Sequence, residues 1–329
     1  MASVHWGRLL VAAALVLVLV LTLEAGPAAG ASPKACRVTN TGTGRSYERL
    51  RDAVRAADPA HTLIVTGRCL GVTEIRIDLV IKGATSRRSG KPILDGARQT
   101  RVLTVGRHAT VVVKDLTIQH GRARGNAGPG VGGGIANFGT LTLRNVVVRD
   151  NHALNDGGGI YNQGVLTLAG RTSIRDNRGA AGISNYEGSW WEPFSMERPS
   201  SITMNDASSV SGNDRGAVYL EAGTLTMNDR SSIFGNENGG GVSLWMGRLV
   251  MNDTSSIHDN QARAAGGGVS IESFDTDNPS LMMNDASSIH DNRAVASDGT
   301  AGRDRKARGL ANLARRFLKE NSDGTLQQE

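Results

Sequence analysis

Between residues 130 and 295 the chain repeats one pattern, short apolar–polar alternations broken by glycine and asparagine. Gly132-Gly133-Gly134-Ile135-Ala136-Asn137 returns as Gly157-Gly158-Gly159-Ile160-Tyr161-Asn162, and in altered form around Ile183, Val218, Val242 and Val269. An alternating run follows most copies, such as Thr140-Leu141-Thr142-Leu143 or Leu225-Thr226-Met227. A third short run then closes on Asn151, Asn177, Asn213, Asn236, Asn260 or Asn292. Period-2 alternation over three to five residues predicts strands with one buried face. The first aliphatics of successive copies lie 25, 23, 35, 24 and 27 residues apart, the long interval carrying the insertion Trp190-Trp191-Glu192-Pro193-Phe194. Such a period predicts a solenoid of three-stranded coils, since one coil cannot bury its apolar face but stacked coils share a core.

Asparagine at a coil corner tolerates left-handed backbone, and its amide can ladder onto the coils above and below. A second row, Asn137, Asn162 and Asn185, gives way to Leu220, Leu244 and Ile271. These positions therefore face inward, and the earlier coils have the more polar interior. Upstream, Tyr47, Leu50 and Val54 share one helical face, with Ser46 as N-cap and Glu48 in the first turn. Pro59 stops this element, so a helix is expected over 46–57, and Thr62-Leu63-Ile64-Val65 begins the first strand.

The Gly-Gly-x-Ile and Ile/Val-x-x-Asn pairing resembles the repeat of right-handed parallel β-helix proteins of the pectin-lyase-like superfamily. It is also similar to the polymorphic outer-membrane protein repeat, with Ile or Val where that family often has Phe. The resemblance spans about residues 60–297. It implies an all-β, right-handed parallel β-helix whose open end is plugged by the N-terminal helix. It leaves function open, because the superfamily includes lyases, hydrolases and adhesins.

The N-terminus adds a compartment. Arg8, an apolar run over Leu9–Leu23 and Ala29-Gly30-Ala31 read as a secretory signal peptide over residues 1–31. The run is short for a membrane span, and no second long apolar run follows it. A secreted or cell-surface protein is expected, with a cap over 32–60, a solenoid over 61–300 and a basic tail over 301–329. In that tail Leu310, Leu313, Ala314 and Phe317 form a helical stripe. The chain has two cysteines, Cys36 and Cys69, which in an oxidising compartment read as one disulfide.

Composition narrows the field. With 42 Gly but 8 Pro and no Gly-X-Y period, the chain is not collagen, and 39% hydrophobic content excludes a disordered chain. The formal net charge of +6 is uneven: residues 32–124 hold 18 Lys and Arg against 7 Asp and Glu, whereas 125–302 hold 11 against 19. A basic head suits acidic wall or sugar polymers, although a solvated surface accounts for it as well. Nucleic acid is not an expected partner, because no binding motif accompanies the charge. The glycine runs lack the Lys-Ser/Thr of a phosphate loop.

Sugar-active β-helix enzymes, as the resemblance implies, use one long face near the first strand of each coil. Three positions past each first aliphatic stand Phe138, Gln163, Tyr186, Glu221, Trp245 and Glu272. Glu221 and Glu272 are two coils apart, about 9–10 Å at the usual strand spacing. That is near the carboxyl separation of an inverting glycosidase. Tyr186, Trp245 and the inserted Trp190 and Trp191 are the candidate sugar-stacking residues. The Asn-Asp stripe at Asp206, Asp229, Asp253 and Asp285 is the one place for calcium, but turn aspartates need no metal and no cofactor is expected. His258-Asp259 and His290-Asp291 read as repeat variation. The sequence thus favours a structural or carbohydrate-binding module with a polysaccharide or cell-wall partner. The alternative is a polysaccharide lyase or glycoside hydrolase acting on acidic or wall polysaccharide through Glu221 and Glu272.

Overall fold

The computed structural model describes residues 35–85, 90–125, 130–187, 199–263, 266–271 and 279–295. Among them the strands form three long sheets of eleven, nine and eight strands. Each coil places one strand in each sheet, and successive coils pair in parallel. Sheet 1 carries the alternating runs, such as Thr140–Arg144 on Val165–Ala169. Sheet 2 carries the runs before each corner Asn, such as Val147–Arg149 on Ser173–Arg175. Sheet 3 carries the first aliphatics, with Ile135, Ile160, Ile183, Val218, Val242 and Val269 in one register. The protein is a parallel β-helix.

Alternation does what the pattern requires. In Thr140–Arg144 the leucines are buried and the threonines lie at the outer face, and the same holds coil after coil. The inward aliphatics join one continuous core from Val38 to Val269. Unequal intervals do not disturb this register, because the additional residues of the 35-residue interval fall between Asn185 of sheet 3 and Ser201 of sheet 1.

The corner after sheet 2 shows how the asparagines act. Asp150, Asp176, Gly212, Gly235, Asp259 and Asp291 take the left-handed conformation, so the strained residue is the one before each asparagine. That turn sends Asn151, Asn177, Asn213, Asn236 and Asn260 inward, where all are buried. Each Nδ2 donates to Oδ1 of the next coil's asparagine, over 2.8–3.0 Å from Asn151 to Asn292. The second row behaves alike, with Asn137 donating to Asn162 at 2.7 Å and Asn162 to Asn185 at 2.6 Å.

The N-terminal element differs from expectation. Ser46–Tyr47 is a strand paired with Thr39 and Val38 of the strand Arg37–Asn40, which itself runs antiparallel to Thr62–Thr66. The Ser46 hydroxyl lies 3.0 Å from that of Thr39, so it caps no helix. The helix is only Leu50–Arg55, entered through Arg49, with Leu50, Ala53 and Val54 buried. It ends before Asp58, which Pro59 excludes from helical backbone. An antiparallel strand thus covers the edge of sheet 1 in place of the expected twelve-residue helix. The Cys36–Cys69 disulfide is present, joining the residue before Arg37–Asn40 to a strand of sheet 2. The signal region, the insertion at Trp190 and Trp191, and the 301–329 tail lie outside the described residues.

Candidate ligand-binding face

The outer face of sheet 3 carries two rows. In the middle of successive strands stand Ala136, Tyr161, Ser184, Tyr219 and Ser243. Just past the strand ends stand Phe138, Gln163, Tyr186, Glu221 and Trp245, the row expected from spacing. Their backbone N–H groups step from coil to coil onto Val105, Asn137, Asn162, Asn185 and Leu220 carbonyls at 2.8–3.0 Å.

The rings do not follow either row. They zigzag between the two, Phe138–Tyr161–Tyr186–Tyr219, with centroids 6.1, 5.4 and 5.8 Å apart. Small Ser184, between Tyr161 and Tyr219 in its row, permits this. Its hydroxyl accepts the Gly157 N–H at 2.9 Å, which keeps it low on the sheet. The Tyr186 ring packs with Tyr161 and Val131, and its hydroxyl donates to Asp156 Oδ1 at 2.8 Å. Tyr186 is consequently 9% exposed, a packed residue rather than the open stacking surface expected of it. Trp245 remains at the surface, 36% exposed.

Asp156 reaches this position because Gly157 turns the chain at φ +61°. A Cβ there would lie 2.2 Å from the Ile160 carbonyl oxygen, so only glycine fits. Two carboxyls then share one aromatic, half-buried surface. Burial, followed by the charge of Asp156, pushes Glu221 up to about 7. Burial also raises Asp156, partly offset by the hydrogen bond from Tyr186. Burial and the nearby carboxylates raise the hydroxyls of Tyr161 and Tyr186, so both stay protonated donors. Tyr161, 3% exposed, is packed away with Tyr186, so this face presents the partly exposed Phe138 and Tyr219 rings, Trp245 and the Glu221 carboxyl, ring faces and an acid of the kind a sugar ring engages.

The other expected residues fare differently. Glu272, the proposed partner of Glu221, lies outside the described residues, as do Trp190 and Trp191. Among the described residues the carboxyl that acts on Glu221 is Asp156, which the repeat pattern could not flag because it sits in a loop. Tyr161 and Tyr219 were equally missed, although tyrosine where other coils carry Ala or Ser was the available signal. Along the Asn-Asp stripe, Oδ2 atoms of Asp206, Asp229, Asp253 and Asp285 accept backbone N–H groups of the preceding coil. That stripe is a turn ladder. His258 and His290 stack at 5.2 Å, each with Nδ1 on the carboxylate that follows it.

A buried acid escaped the sequence reading altogether. Asp95 meets Arg68 and His120 at 2.9 Å, Gln119 Nε2 at 2.9 Å and the Ala97 N–H at 2.7 Å. Burial opposes its charge, but the hydrogen bonds from Gln119, Ala97 and His120 outweigh it and hold the carboxyl below its usual range. This network ties three adjacent coils of sheet 2 together.

The arrangement defines a class, a parallel β-helix protein with an aromatic and carboxyl-bearing outer face on one sheet. No protein-family model, no curated protein and no solved structure matches the chain.

Proposed function

We propose that this is a secreted or cell-surface β-helix that binds carbohydrate along the outer face of sheet 3. The carrying observation is the zigzag Phe138–Tyr161–Tyr186–Tyr219 with Asp156 and Glu221 at its side. Buried Tyr161 and Tyr186 hold the partly exposed Phe138 and Tyr219 in place; rings fixed in this way on a rigid sheet stack on sugar faces at low entropic cost, and the carboxyls accept from hydroxyls. The repeat supports the finer placement in the pectin-lyase-like superfamily. Export is supported by the N-terminal sequence and the Cys36–Cys69 bond, and among the described residues no helix is long and apolar enough to cross a membrane.

A second reading, glycoside hydrolysis, draws on Glu221, whose value of about 7 suits a proton donor at neutral pH. In that reading the second carboxyl among the described residues is Asp156, Glu272 lying outside them. A glycan array with the protein freed of residues 1–31 tests both readings, with reducing-sugar and unsaturated-product assays on each ligand found. Tyr219→Ala is expected to weaken the retained glycan at least ~10-fold, with the melting midpoint changed by less than a few degrees. Turnover that disappears in Glu221→Gln while binding persists selects the hydrolase. Equal glycan binding by wild type and Tyr219→Ala overturns the proposed face.

A further inference from the structure

A different surface, the corner between sheets 2 and 3, collects positive charge. Arg122 pairs with His152 across adjacent coils, and His152 bridges in parallel to Arg178. Asp214 takes the next place, its N–H on the Asn177 carbonyl, and Arg215 follows it. Arg122, Arg178 and Arg215 are all exposed, and no ion pair involves them among the described residues. The next two places in the row are acids: Asp214, which receives the Asn238 side-chain amide at 3.2 Å, and exposed Glu237, whose N–H lies on the Asn213 carbonyl.

His152 supplies an independent observation. Its Nδ1 is buried and has no hydrogen-bond partner. Its ring lies over Gly179, where a Cβ would stand 3.1 Å from Nε2. Nδ1 itself is closed to solvent, so an anion reaches the half-buried ring from its open side, where its charge offsets the three guanidiniums and favours the protonated imidazole. Burial first, then Arg122, with Arg178 and Arg215 adding to it, depresses the imidazole's affinity for a proton.

We propose that Arg122, His152, Arg178 and Arg215 form a binding site for anionic groups, sulfate or carboxylate, carried by a polysaccharide. Arg122, His152 and Arg178 stand in line on three successive coils, about 4.8 Å apart, and Arg215 follows the fourth place, held by Asp214, so the cations run along the stack. A line suits a linear polyanion better than one small ion. Apart from His152, these positions carry no aromatic ring on which a nucleobase would stack, which favours a sugar polymer over nucleic acid. Guanidinium forks engage sulfate and carboxylate in bidentate fashion, and a bound anion stabilises the His152 imidazolium that the arginines oppose. The site is separate from the aromatic face, so each succeeds or fails independently: neutral glycans report on the face and polyanions on the corner.

The test titrates the protein, again without residues 1–31, with dextran sulfate, polygalacturonate, uncharged dextran, inorganic sulfate and a single-stranded oligonucleotide. Dextran sulfate or polygalacturonate is expected to bind and uncharged dextran not to. Weak or absent binding of inorganic sulfate assigns the effect to the polymer, and saturable binding assigns it to the group itself. The triple variant R122A/R178A/R215A is expected to lose at least ~10-fold in affinity. Its slope of log affinity against log salt is expected to fall by about two to three. The control R45A/R49A, two exposed arginines of the basic head, is expected to bind as wild type. In NMR titrations the His152 ring is expected to protonate at higher pH with dextran sulfate present. Wild-type affinity in the triple variant, an unmoved His152 titration, or an oligonucleotide binding as tightly as dextran sulfate overturns the proposal.

Discussion

Asn213→Ala is expected to destabilise the protein by about 3–5 kcal/mol, lowering the melting midpoint by roughly 10 °C. Asn213 is fully buried, and its Nδ2 donates to the carbonyls of Ile174 and Ser211 and to Asn236 Oδ1. Its Oδ1 accepts both the backbone N–H and the Nδ2 of Asn177. Alanine removes every one of these bonds at a fully buried position. Each stranded buried group costs about 1–3 kcal/mol, well above the ~1 kcal/mol net of an ordinary hydrogen bond. Leucine at the same site fills the volume but strands the same groups, so it is expected to recover little. Asn252→Ala is the control: its ladder to Asn228 and Asn284 is only partly buried, and a loss of about 1 kcal/mol is expected. Equal melting curves for the two variants would show that the corner ladder does not hold the coils together.

Removing the disulfide is expected to cost about 3–4 kcal/mol, since Cys36 and Cys69 close a loop of sequence separation 33. The place of the loss is as telling as its size. Solenoid coils contact only their neighbours, so stability sums over local terms. In Cys36→Ala/Cys69→Ala, hydrogen exchange should therefore accelerate over residues 36–70, where Arg37–Asn40 pairs with Thr62–Thr66. The strands Thr224–Met227 and Arg248–Met251, which pair with each other far along the stack, should keep their protection. Uniform acceleration would mean that the unit unfolds as one cooperative block.

The repeat was legible because its cause is local. Each coil must bury its aliphatics, turn at a left-handed corner and return an asparagine inward, so Ile135, Ile160 and Ile183 fall in register whatever lies between them. The outer row through Tyr186, Glu221 and Trp245 was legible for the same reason. What spacing cannot carry is where a side chain leans. Tyr186 leaves its row because Ser184 is small and Asp156 receives its hydroxyl, a choice made by three residues on two coils. Nor does spacing say which polar loop residue turns inward, which hid Asp156 and the clustering at His152. The helix over 46–57 misread a local signal: Ser46 had a better partner in Thr39, across a strand pairing that the helical pattern does not contain.

The central claim, that sheet 3 presents the carbohydrate face, is tested most directly by hydrogen–deuterium exchange with and without a glycan retained on the array. Bound glycan is expected to slow exchange at residues 156–163, 184–187 and 219–221, the segments carrying Asp156, Tyr161, Tyr186, Tyr219 and Glu221. Slowing confined to the sheet 1 strands, such as Thr140–Arg144 and Val165–Ala169, with sheet 3 unchanged, would contradict it.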